Sequence, residues 1–151
     1  MNRVEILSEE DPPPRWASAA RGFILAVLDR LGLDGWDLAA VFCGDAYIRG
    51  LNARFRGKDE ATDVLSFSLG ETVEENGETR YLPGDIVISL ETLTENAGYF
   101  QVSPDEELRR LLIHGILHLN GMDHATNADI EPMLALQEAL LSELSGERIL
   151  L

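Results

Sequence analysis

The chain's three histidines, His114, His118 and His124, all fall within the eleven-residue segment HGILHLNGMDH. His114 and His118 are four positions apart, which on a helix sets both imidazoles on one face, about one turn from each other. Two rings so placed can reach one ion. Gly121 tolerates a left-handed turn at no steric cost, and such a turn can bring His124 back to the same point. Three neutral nitrogens with a fourth position open are the ligand set of a catalytic zinc, one Zn2+ per chain. Its bonds to nitrogen would be about 2.0–2.1 Å long, and it would acidify a bound water. A lone histidine is more simply a half-buried packing residue. Three at ligand spacing favour the metal.

What this motif lacks narrows the chemistry. Zinc peptidases carry H-E-x-x-H, in which the glutamate is the general base, and their longer form H-E-x-x-H-x-x-G-x-x-H has the spacing seen here. The glutamate position is Gly115, which cannot accept a proton. Peptide hydrolysis would need a base from elsewhere, so a metallopeptidase-like hydrolase is the weaker reading. A reaction resting on Lewis-acid activation and charge neutralisation fits better, and phosphodiester cleavage is one.

Basic residues form a second pattern. Arg49, Arg54, Arg56 and Lys58 lie within ten positions, and Arg109 and Arg110 directly precede the histidine segment. Arg110 is four residues before His114 and can extend the same helical face. Guanidinium forks match phosphate oxygens, which makes these residues candidate phosphate contacts. A solvated face paired with Asp59 and Glu60 is the plainer alternative. Asp123 is a candidate for orienting a ligand imidazole and Asp85 for orienting a ligand or catalytic group; a turn aspartate and a strand-capping aspartate are the alternatives. Trp16 and Trp36 read as packing, and Cys43 as a small buried apolar residue. Were the Cys43 sulfur to fill the fourth metal position, the zinc would be structural and the protein a non-catalytic binding module.

The elements that must position these groups follow from periodicity. Val4 to Leu7 reads as a strand, ended by an acidic turn and three prolines. A helix is expected from Pro14 to Leu31, with Gly32 as its stop. Leu38 to Cys43 is a strand, and Asp45 can cap a helix through Phe55. Asp63 to Leu69 alternates as a strand. Residues 71–84 are polar and form a loop or hairpin, Asp85 to Ser89 is a strand, and a helix runs from about Leu90 to Phe100. Ser103-Pro104-Asp105-Glu106 is a capping box that opens the histidine helix, which Gly121 ends. A last helix spans about Asp129 to Leu144, with Pro132 in its first turn. The sum is an α+β fold: one small mixed sheet packed with about five helices, with a metal-site helix like that of zinc peptidases.

The chain has 151 residues, one domain's worth, with 45% apolar and 26% charged residues, an ordinary globular composition. One cysteine excludes an intrachain disulfide and fits a reducing compartment. There is no signal-peptide core and no apolar stretch long enough for a membrane span, so a cytoplasmic protein without a membrane role is expected. The formal charge of −15 argues against a general nucleic-acid coating protein. Six of the twelve basic residues fall in the two clusters above, so the charge is compatible with a small positive cleft on a negative body.

Three blocks, LNARFRGKDEATDVLSFSLG, GDIVIS and LLIHGILHLNGMDH, resemble in order the signature blocks of the YbeY family, over most of the span from Leu51 to His124. The resemblance implies a bacterial zinc-dependent endoribonuclease that cleaves single-stranded RNA. It further implies roles in 16S ribosomal RNA maturation and ribosome quality control. Partners would be the ribosome or a small-subunit ribosomal protein and an assembly GTPase. By the same likeness His114, His118 and His124 are the metal ligands, Arg56 is the catalytic arginine, and Arg54, Lys58 and Arg110 are RNA-binding candidates. Ser68, where many members have proline, and Glu60-Ala61 depart from the family pattern.

Overall fold

The structure, a computed structural model, describes residues 1–9 and 12–150. Residues 10 and 11 of the expected acidic turn lie outside it. The elements in chain order are β1 (Arg3–Ser8), α1 (Ala17–Arg30), β2 (Trp36–Cys43), α2 (Asp45–Arg56), β3 (Val64–Glu75), β4 (Glu78–Ser89), α3 (Leu90–Phe100), α4 (Pro104–Leu119) and α5 (Pro132–Glu143). The four strands form one sheet in the order β1-β2-β4-β3, with β1, β2 and β4 parallel and β3 antiparallel at the edge. This is the expected mixed sheet with five helices.

Strand alternation sorts the core into two layers. Leu38, Ala40 and Phe42 of β2 and Ile86 and Ile88 of β4 face a large cluster built with Phe23, Ile24, Val27 and Leu28 of α1, Leu108, Leu112, Ile113 and Ile116 of α4, and Met133 and Leu140 of α5. On the other face a small cluster of Cys43, Ile48, Leu65 and Val87 seats α2. The histidine helix therefore lies on one side of the sheet and the basic α2 on the other.

Several boundaries move for local reasons. Residues 71–84 are the outer half of a long β3–β4 hairpin closed by Asn76 (φ 51°) and Gly77 (φ 82°), the positive-φ pair of a tight hairpin turn. α1 starts at Ala17 because the Pro14 carbonyl is taken by a turn bond from the Ala17 N–H. α5 starts at Pro132, whose missing N–H suits the first helical position. Asp45 is not the cap of α2: Gly44 holds that place, and the Asp45 carboxylate instead accepts from the Ser89 and Thr92 hydroxyls at the start of α3. Those two bonds hold its pKa below the usual carboxylate range. Among the described residues, no helix is long and apolar enough to cross a membrane.

Candidate metal centre

α4 opens on half of the expected capping box, with the Glu106 carboxylate on Arg110 instead of the Ser103 N–H. The Ser103 hydroxyl accepts from the Glu106 N–H at 3.1 Å, and Pro104 takes the first turn. It closes in a Schellman motif, with the Met122 N–H on the Leu117 carbonyl and the Gly121 N–H on the His118 carbonyl, both at 3.0 Å. Gly121 adopts φ 88°, and the reversed chain delivers His124.

The three histidines converge. One ring nitrogen of each lies within 4.8 Å of the others, and the Nε2 atoms of His114 and His118 are 3.0 Å apart. Two ligands on one tetrahedral zinc, at bonds of 2.0–2.1 Å, stand about 3.3 Å apart, so the donor set fits such an ion. Each of two rings has its other nitrogen occupied. His114 Nδ1 meets Gln137 Oε1 at 2.7 Å, and His124 Nδ1 meets the Thr126 carbonyl at 2.8 Å. Gln137 Nε2 donates to Glu138, which fixes the amide so that its oxygen faces His114. Both Nδ1 atoms then carry the proton and both Nε2 atoms are free for a metal. Burial, with the neighbouring His114 ring, lowers the pKa of His118 and favours the neutral form that ligation needs.

His114 and His118 line a cleft of about 380 Å3 with Arg56, Val64, Ser66, Ser68 and Asp123, and the His124 ring nitrogen closes on the same two rings. Arg56 reaches this side from the last turn of α2 by bending around the sheet edge, where its Nη2 donates to the Ser66 carbonyl at 3.0 Å. Ser68, one of the departures from the family pattern, is part of the cleft wall.

Other expected positions differ. Arg110 is not free to meet a phosphate: Glu106, Glu107 and Glu138 bind its guanidinium at 3.0–3.1 Å. Burial opposes its charge, but the three carboxylates outweigh that and raise its pKa. Arg109 is likewise paired with Asp105, so the cluster before the histidines is neutralised. Asp85 lies on the far side of the sheet. It pairs with Ala39 and Phe67, and alternation turns it away from Ile86, which packs on α4. It sits in a groove with Glu5 and Asp37, where burial and the Glu5 charge raise its pKa. Asp123 accepts from the His124 backbone N–H, not from a ring. Arg54 and Lys58 are exposed near Arg56 but do not line the cleft. Cys43 is buried in the α2 layer with its sulfur on the Ile88 carbonyl, and burial, then Glu9 and Asp45, push its thiol up to about 12. It offers no fourth ligand. The position that sequence reasoning missed is Gln137. It lies 23 residues beyond His114 on another helix, and its oxygen rather than any motif makes the contact.

Fold and site together define a small α+β protein with a three-histidine cluster suited to a metal and an arginine across the cleft. The family model described as Endoribonuclease YbeY matches residues 6–145. A Treponema denticola protein named Endoribonuclease YbeY is 49% identical over 146 residues, covering 95% of this chain and 94% of its own. A Borreliella burgdorferi protein of the same name is 46% identical over 127 residues, covering 80% and 82%. The solution structure of a Thermotoga maritima protein superposes with a TM-score of 0.66 at 29% identity, covering 95% of this chain and 90% of that one. The chain belongs to the YbeY endoribonuclease family.

Proposed function

We propose that this chain is a single-domain, zinc-dependent endoribonuclease that cuts single-stranded RNA at the three-histidine cleft. The observation that carries the reading is one cleft lined by His114, His118 and Arg56, with His124 within ligand distance of both other rings. His114, His118 and His124 would hold the ion through nitrogens. When bound, zinc would supply Lewis-acid polarisation of a phosphoryl oxygen and a more acidic water. Gln137 and Thr126 keep the two Nδ1–H groups turned away from the cleft. Arg56 keeps further N–H donors beyond the one on Ser66, and these can bind the oxygens on which charge builds as the bond breaks.

The metallopeptidase alternative loses ground, because the base position is Gly115 and a Cβ there would already meet Ile86 at 2.9 Å. The structural-zinc alternative loses its proposed fourth ligand in Cys43. Action on 16S ribosomal RNA in maturation and quality control, contact with the ribosome, a small-subunit ribosomal protein or an assembly GTPase, and a cytoplasmic site of action are proposed from the family likeness.

The test is cleavage of a single-stranded oligoribonucleotide by purified, zinc-loaded protein beside His114→Ala and Arg56→Glu. Wild type should cleave and chelation should stop it. Arg56→Glu should lose about 10²–10³-fold in rate, the usual cost of removing a donor to developing charge. Equal cleavage by all three proteins would assign the activity to a contaminant.

A further inference from the structure

The cleft accounts for the phosphate end of a nucleotide but gives the base no seat. On the opposite side of β3 the exposed Phe55 stands against Phe67, which itself packs on the small core cluster. Phe55 is 57% exposed, a large apolar ring left in solvent. The Phe55 ring stands edge-to-face with Phe67 at 5.5 Å, and the Arg54 guanidinium lies over Phe55, 5.2 Å from its centroid.

This patch adjoins the cleft through covalent neighbours. Phe55 precedes Arg56, and Phe67 follows Ser66, the residue whose carbonyl Arg56 binds. β3 is the sheet edge, so Ser66 and Ser68 face the histidines while Phe67 faces α2. A strand of nucleic acid held by phosphate at Arg56 has only this edge to cross before a base meets Phe55. The charge fits that occupant. Among the described residues, Arg54, Arg56 and Lys58 have no carboxylate partner, whereas Arg49 beside them is paired with Asp59.

Resting on the reading of the cleft as an RNA-cleaving site, we infer that Phe55, with Arg54 and Phe67, is a nucleobase subsite that stacks one unpaired base flanking the bond to be cut. Every base has a π-face, so the subsite selects against paired bases without selecting a sequence. It thereby supplies a preference for single strands that the histidines and Arg56 cannot.

The experiment titrates zinc-loaded protein into a single-stranded oligoribonucleotide carrying 2-aminopurine, and follows cleavage of the unlabelled oligomer separately. Wild type and Phe55→Trp should quench the fluorescence by stacking. Phe55→Leu, which keeps the apolar contact with Phe67, should lose the quench and bind on the order of tenfold more weakly, the loss expected for one base–aromatic stack. Zinc content and circular dichroism should match across the three. Equal quench and equal affinity in Phe55→Leu overturn the subsite, even if RNA is cleaved. Quenching that depends on Phe55 in a protein that cuts no RNA keeps the subsite and overturns the endoribonuclease reading.

Discussion

Gln137 is a 7% exposed polar side chain whose amide is used at both ends, on His114 by its oxygen and on Glu138 by its nitrogen. An imidazole that ligates through Nε2 must keep its proton on Nδ1, and an acceptor placed there selects that tautomer and fixes the ring. Gln137→Leu keeps the volume and removes the acceptor. It should weaken zinc affinity about tenfold or more, measured by competition with a chromogenic chelator, with the fold unchanged by circular dichroism. Gln137→Glu, which keeps an oxygen on Nδ1, should retain most of the affinity. Equal affinity in Gln137→Leu would mean that packing alone orients His114. The histidines themselves were legible because ligand type and helical spacing sit together in one segment. Gln137 was not, because its role exists only where α5 crosses α4. Asp85 shows the converse. As a carboxylate at a strand start it is a candidate for orienting a ligand, but a strand sends alternate residues to opposite faces, and the pairing register turns this one away from the histidines.

The pairing of α4 with β4 explains why the peptidase base is absent. A Cβ at Gly115 would stand 2.9 Å from Ile86 Cδ1, 2.9 Å from its Cγ2 and 3.0 Å from its Cγ1, so helix and sheet meet across a bare backbone. Overpacking costs about 1–3 kcal/mol, and the better helix propensity of alanine returns up to about 1 kcal/mol. Gly115→Ala should therefore lower stability by roughly 1–2 kcal/mol in urea denaturation. Adding Ile86→Val, which removes Cδ1, should recover part of the loss, since contacting sites couple. Gly50→Ala is the control. A Cβ there, within α2, meets nothing, and the variant should gain about 0.5–1 kcal/mol. At its other end α4 anchors the chain's close. The buried Asp105 carboxylate accepts from Ile149 N–H at 2.8 Å, Leu150 N–H at 2.7 Å and Arg109 at 2.9 Å. Burial works to raise its pKa, but the two backbone bonds and Arg109 outweigh it and hold the carboxyl below the ordinary value. A lowered folded pKa contributes stability that is complete above the unfolded value of about 3.9 and is lost as pH falls through the folded value. Asp105→Asn should cost about 2 kcal/mol at neutral pH, and its deficit against wild type should shrink below about pH 4. A deficit constant from pH 7 to pH 3 would remove the ionised carboxylate from the account. The Ser103 cap and Pro104 that start this helix are readable from the local sequence. The tie from Asp105 to residues 149 and 150 is not, because nothing local in the sequence marks a carboxylate 44 positions away as its acceptor.

Across the whole molecule, the charge of −15 repels a polyanion, so any RNA affinity must come from a few cations and the ion. Sequence counting gives two basic clusters, one directly before the histidines and one in the RGK segment, and only the second keeps unpaired cations in the fold. Arg109 and Arg110 are neutralised because helical spacing on α4 brings Asp105, Glu106 and Glu107 to them and the neighbouring α5 adds Glu138. Among the described residues, the cations left without carboxylate partners around the cleft are Arg54, Arg56 and Lys58, three in a segment of five residues. Each phosphate neutralised on a single strand contributes about −0.7 to the slope of log K against log salt, so three contacts predict a slope of about −2. Measured between 50 and 200 mM salt by fluorescence anisotropy, this is a shallow dependence, and affinity should be correspondingly weak. A zinc ion held on three neutral histidines would add two positive charges at the same place. Chelation should therefore weaken RNA binding itself and not only cleavage. Lys58→Ala should reduce the slope by close to one contact, leaving it near −1.4, while Arg110→Ala should leave the slope unchanged. A slope of −4 or steeper would require further cations on the RNA path, and Arg110 released from its carboxylates would be the first to examine.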